Sequence, residues 1–157
     1  MPIVFRRATP RHRPLVSFAS DHRMTRHNER MDVASTAVTV ALAILFAAMG
    51  VAHFVPSVAR GMAAIIPPRL KGTGLLSGKS LVRFTGVCEI AGGIGLLVPL
   101  THAAAAVALI VFLVAVFPAN VYASQHPERF GRAAIPFWPR LAGQLVLIGL
   151  LVFVLVA

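Results

Sequence analysis

Residues 33–55 include no Asp, Glu, Lys or Arg, and this one feature restricts the fold more than any other. A helix needs about 20 predominantly apolar residues to cross a bilayer core of about 30 Å. Helices of soluble domains keep a polar face for water instead. Three further apolar runs follow, at about 83–100, 103–124 and 141–157. The pattern predicts an all-α fold, an integral membrane four-helix up-and-down bundle formed as one domain over residues 33–157. Composition agrees, since a chain that is 57% hydrophobic and 13% charged is too apolar for an ordinary soluble domain.

The formal net charge of +10 raises the question of nucleic acid, and the placement of the basic residues answers it. Arg6, Arg7, Arg11, Arg13, Arg23, Arg26 and Arg30 stand ahead of the first apolar run. Arg60, Arg69, Lys71, Lys79, Arg83, Arg129, Arg132 and Arg140 lie between or at the edges of the later ones. Positive charge kept to loops is the pattern of a membrane protein whose partner is the lipid bilayer. No basic patch interleaved with aromatic residues accompanies it, so nucleic acid is not an expected partner. Cys88 is the only cysteine, which excludes an intramolecular disulfide, a CxxC redox pair and a cysteine-based zinc site.

Residues 1–32 are rich in Arg, His and Pro and carry few large apolar side chains. They predict a disordered basic tail, because such a segment cannot bury enough surface to fold alone. Met24 and Met31 lie within it, and translation starting at either, rather than at Met1, leaves the hydrophobic part intact. The first apolar run is longer than a signal-peptide core, which argues against a cleaved leader. Pro99 and Thr101 leave almost no connection between the second and third runs, so those two form a tight antiparallel hairpin. The other connections, 56–82 and 125–140, contain the prolines and glycines that break helices. Within the first of them, residues 57–66 read as a short helix lying in the interface, with Met62, Ile65 and Ile66 beside Arg60.

Four spans place the N-terminus, the hairpin and the C-terminus on one side, A, and the two longer loops on the other, B. The basic residues of loops 56–82 and 125–140 then favour side B in the cytoplasm, for a multi-pass protein of the cell inner (plasma) membrane.

Ionisable and amide side chains inside spans are costly, and each is a functional hypothesis by default. There are four, His53, Glu89, Asn120 and Gln144, with Arg83 and Arg140 at span edges. Threading the spans puts all six in the half nearest side B, as one polar layer from four helices. The other half is almost purely apolar, with no strongly polar side chain in residues 103–116 and 145–156. A pore needs a polar lining through both halves, so a channel is disfavoured and a one-sided pocket or a polar clamp is expected. All six residues are candidate ligand-binding groups, and Glu89 and His53 are the candidate catalytic ones.

Glu89 has Gly86, Gly92 and Gly93 at helical spacing, so a neighbouring helix can approach its face closely. Two readings of it stand side by side. It handles protons or binds a ligand, or it is an acid paired with Arg83, His53 or Gln144 that locks the bundle. His53 and Glu89 alone offer too few ligands for a metal. His102 falls on side A, too far from His53 for bis-histidine haem ligation. Neither metal nor haem is expected. Pro118 frees a backbone carbonyl beside Asn120, which predicts a kink with its local repair or a widening of the bundle for a ligand. Trp138 and Tyr122 read as interface anchors.

These residues carry a resemblance. Gly50-Val51-Ala52-His53-Phe54, Ile66-Pro67-Pro68, the stretch from Gly86-Val87-Cys88-Glu89 to Leu97-Val98-Pro99, Val116-Phe117-Pro118-Ala119-Asn120-Val121, and Arg140-Leu141 with Gln144 resemble the DoxX and DoxX-like family of bacterial four-span membrane proteins. The likeness covers residues 33–157. Ala142-Gly143 depart from the Arg-Leu-Pro-Leu-Gln pattern usual there. The resemblance implies a membrane four-helix bundle and an association with redox complexes, as in a thiosulfate:quinone oxidoreductase subunit. The resulting expectation is a membrane subunit of a redox or quinone-linked complex, with a quinone as its small molecule and a redox protein as its partner. If enzymatic, it is an oxidoreductase subunit rather than a stand-alone enzyme. A non-catalytic scaffold or assembly factor is the alternative, and a homo-oligomer fits either. A small-molecule transporter is weaker, for want of an inverted repeat or a polar path through the side A half.

Overall fold

The computed structural model describes residues 17–130 and 135–157. Six helices account for almost all of these residues: α1 Ser17–Ala52, α2 Pro56–Ile65, α3 Gly78–Leu97, α4 His102–Gln125, α5 Pro127–Phe130 and α6 Phe137–Val156. No strand occurs among the described residues. Four of the helices contain segments long and apolar enough to cross a membrane, Asp32–Ala52, Gly78–Leu97, His102–Gln125 and Phe137–Val156. The expected membrane four-helix bundle is therefore the observed fold. Contacts close it in the cyclic order α1, α3, α4, α6, with α2 lying across α3 and α4.

Helix boundaries follow proline and glycine. No Pro or Gly stands between Ser17 and Met49, and α1 is continuous through that stretch. It therefore begins well before residue 33 and takes in the second half of the segment expected to be a disordered tail. The first half lies outside the described residues. After α1, Val55 is extended because Pro56 follows it, and Pro56 then opens α2 from a first-turn position that needs no N–H donor. Pro67 ends α2 in the same way at Ile66. This helix occupies the stretch expected for a short interfacial one, shifted by a single residue.

Ser77 caps α3 by accepting from the Ser80 backbone N–H at 3.3 Å. The cap starts α3 five residues ahead of the expected span, so Lys79 and Arg83 belong to the helix rather than to the loop before it. Val98 to Thr101 form the tight turn of the expected hairpin. At α6, Pro139 falls in the first turn, where a missing N–H costs nothing, so the helix starts at Phe137 and not after the prolines.

The half of the bundle near the hairpin is closed by apolar packing. Leu96, Ala106, Leu109 and Leu151 are almost wholly buried there with Leu42, Phe46 and Val154. Outward-facing side chains such as Ile44, Phe84, Val111 and Leu145 are exposed and apolar, a surface suited to lipid rather than water. At the hairpin end, the His102 ring has Nδ1 2.7 Å from the Leu96 carbonyl and Nε2 3.0 Å from the Val154 carbonyl, so a neutral ring donates to one of them and an imidazolium to both. One side chain thus ties the start of α4 to the ends of α3 and α6.

Candidate functional site

Three glycines bring α1 and α3 together closely enough to place one polar side chain of each in contact. A Cβ on Gly50 would stand 2.6 Å from the Gly86 carbonyl oxygen, one on Gly86 2.7 Å from the His53 Cβ, and one on Gly93 2.8 Å from the Ala43 carbonyl oxygen. Real Cβ atoms do not approach so closely, so the helices meet backbone to backbone along this line. His53 follows the last turn of α1, and Glu89 lies on the buried stripe of α3 with Val82, Gly86 and Gly93. Both are buried, at 7% and 8% exposure.

The His53 Nδ1 is 3.0 Å from Glu89 Oε2. The same nitrogen is 2.7 Å from the Met49 carbonyl, which only accepts, so Nδ1 carries a hydrogen and donates it there. Oε2 is beside the ring without receiving that hydrogen, and it has no hydrogen-bond partner among the described residues. A buried polar atom left in this state is rare in native proteins and calls for an explanation.

Glu89 lines a cavity of about 350 Å³. Glu89, His53, Thr85 and Asn120 are its polar lining, and the rest is apolar, from Phe46 and Leu113 towards the membrane interior to Met62 and Ile65 of α2 and Ile66 just after it. Thr85 donates to the Val82 carbonyl at 2.8 Å. Asn120 Oδ1 accepts from the Arg140 Nη1 at 2.8 Å, and Arg140 also donates from Nε to the Ile135 carbonyl at 3.0 Å. An arginine only donates, so the amide oxygen faces Arg140 and the Asn120 NH₂ is the half that remains to donate elsewhere.

Of the six candidates, the structure brings His53, Glu89 and Asn120 to one cavity and attaches Arg140 to it through Asn120. Arg83 is exposed and does not line the cavity. Six residues from Glu89 at about 100° each put it some 120° around the helix. Gln144 is half-buried, makes no hydrogen bond among the described residues and does not line the cavity. Of the three partners considered for Glu89, the observed one is His53. No cluster of three or more His, Cys, Asp or Glu suited to a metal occurs among the described residues. Sequence reasoning missed Thr85, whose hydroxyl looked like ordinary helix content, and the double contact of His102. The Pro99 to Thr101 turn just before His102, which sets it at a helix start facing two helix ends, was the available signal.

A family model described as Domain of unknown function (DUF8561) matches residues 42–155. The chain belongs to that family. The DUF8561 match takes in all four membrane-length helices from the middle of α1 onward, together with every residue that lines the cavity. Comparison with curated proteins gives no match, and comparison with solved structures gives none either.

Proposed function

We propose that this DUF8561 protein is a membrane subunit that holds a small amphipathic molecule in its one-sided cavity, within a redox or quinone-linked complex of the inner (plasma) membrane. The observation that carries the reading is the buried Glu89, whose Oε2 accepts no hydrogen bond among the described residues, on the wall of a largely apolar cavity. Apolar lining with a few placed polar groups is the usual make-up of a small-molecule site, and this volume is near the low end for one. The residues fit a quinone-type head group. Glu89, Thr85 and Asn120 offer it hydrogen bonds, and Phe46, Leu113 and Val116 accommodate an apolar body. When bound, such a group supplies two-electron chemistry. The chain's own part is to orient the head group, exclude water, and exchange a proton at the Glu89 carboxyl group, beside the His53 ring. The redox assignment is supported by the resemblance to DoxX-like proteins.

The test is purification in native lipid, extraction and mass spectrometry of bound molecules. The expected result is a stoichiometric quinone or similar amphiphile, with a redox protein co-purifying. Neither appearing would overturn the reading.

A second reading, a non-catalytic scaffold, is favoured by one specific observation. Both polar pairs bridge helices, His53 with Glu89 between α1 and α3 and Asn120 with Arg140 between α4 and α6. Glu89→Gln separates the two. A scaffold tolerates the isostere at a cost of about 1 kcal/mol, the scale of an interhelical hydrogen bond in a membrane. The ligand-holding subunit keeps its fold and loses its bound molecule.

A further inference from the structure

The hydrogen-bonding capacity left over in the cavity specifies the ligand more narrowly than its shape does. Three of the four polar wall groups, His53, Thr85 and Asn120, have already used one valence inside the protein. His53 Nδ1–H is given to Met49. The Thr85 hydroxyl hydrogen is given to Val82, which leaves its oxygen lone pairs. Asn120 Oδ1 is taken by Arg140, which leaves its NH₂. Glu89 Oε2 has the His53 ring 3.0 Å away but accepts no hydrogen bond among the described residues. The α3 wall is therefore short of hydrogens, with the Glu89 carboxylate and the Thr85 oxygen both able to accept, whereas Asn120 on α4 has hydrogens to give.

We propose that the occupant is a neutral, hydroxyl-bearing amphiphile whose O–H donates to the Glu89 carboxylate and whose head-group oxygen accepts from Asn120, with its apolar body directed towards Phe46 and Leu113. This rests on the reading of the cavity as a ligand site and adds the chemical class. Among quinone-type compounds it selects the reduced, hydroxyl-bearing form over the oxidised one. A cationic head is disfavoured. The single carboxyl group already has the His53 ring 3.0 Å away, and Arg140 stands directly behind Asn120. A second cation would be desolvated next to these without a counter-charge of its own.

Three probes with the same tail test the idea on the full chain in lipid nanodiscs, with binding read by native mass spectrometry: 1-dodecanol, dodecyl methyl ether and dodecylammonium. The expected order is dodecanol at least tenfold tighter than the ether, with the ammonium weaker than the alcohol. Glu89→Leu should abolish the preference of alcohol over ether. Asn120→Asp should weaken dodecanol binding severalfold while still accepting from Arg140, so a folding defect in the first variant does not decide the matter. Equal binding of alcohol and ether, or tightest binding of the ammonium, overturns the hydroxyl class but leaves the cavity a ligand site. Retention of none of the three overturns the cavity reading itself.

Discussion

At the scale of single residues, the membrane makes polar positions easy to find and hard to pair. His53, Glu89 and Asn120 are conspicuous because their surroundings in the sequence are apolar, and all three line the cavity. Which partner Glu89 takes depends on helix rotation and on the approach of a second helix. Depth along the chain does not determine either. Arg83 illustrates the failure. It has a suitable depth and charge, yet it points away from the buried stripe and is exposed. The same geometry gives a stability prediction. His53→Ala removes the ring beside Oε2 and the hydrogen given to the Met49 carbonyl, which leaves buried polar groups without their neighbour at a cost of about 1–3 kcal/mol. The double variant His53→Phe, Glu89→Leu should recover most of that loss, because it removes both polar groups. Reversible unfolding in mixed micelles measures both. A His53→Ala cost no larger than that of Glu89→Leu alone would show that the pair is not energetically coupled.

At the scale of helices, the Gly86, Gly92, Gly93 spacing announced a close neighbour, and the structure supplies two. Gly86 and Gly93 admit α1, and Gly92 admits Leu109 of α4. The identity of those neighbours was not legible, because a run of small residues sets how near a helix can come and says nothing of which one. Helix ends were legible where proline stands after the helix, as at Ile66, whereas the expected span to residue 100 overran the end of α3 at Leu97. Helix starts were misjudged where proline stands inside the first turn, as at Pro139. Glycine packing separates two otherwise similar substitutions. Gly86→Ala puts a methyl group 2.7 Å from the His53 Cβ, so α1 and α3 must part, at about 1–3 kcal/mol of stability. Gly149 of α6 has nothing within 4 Å of its Cβ position. Gly149→Ala should then be neutral or raise stability by up to about 1 kcal/mol, the gain in helix propensity. Thermal unfolding of the two variants in one detergent checks the opposite signs. Equal losses would mean that α1 and α3 do not meet at these glycines.

At the scale of the whole molecule, the two halves of the bundle differ in kind. The hairpin half is sealed by Leu96, Ala106, Leu109 and Leu151 and clasped by His102, while the cavity occupies the half where α2 crosses the bundle. Nothing polar continues from the cavity through the sealed half among the described residues, consistent with a site reached from one side. That asymmetry was legible in the distribution of polar residues. The cavity was not, since an empty volume arises from how the helices splay. The chain's threading predicts that Thr73 and Glu128, both exposed in the longer connections, share one side, and that Leu100 at the hairpin tip, 94% exposed, lies on the other. With Cys88→Ala removing the only native thiol, Thr73→Cys, Glu128→Cys and Leu100→Cys can each be labelled singly with a membrane-impermeant maleimide. Basic residues flank the first two positions, so the positive-inside rule places them in the cytoplasm. Leu100→Cys should react in intact cells, and Thr73→Cys and Glu128→Cys only after the membrane is opened. Reversal of all three overturns the orientation and keeps the four-span threading. A difference between Thr73→Cys and Glu128→Cys overturns the threading, because an even number of crossings must separate the two loops.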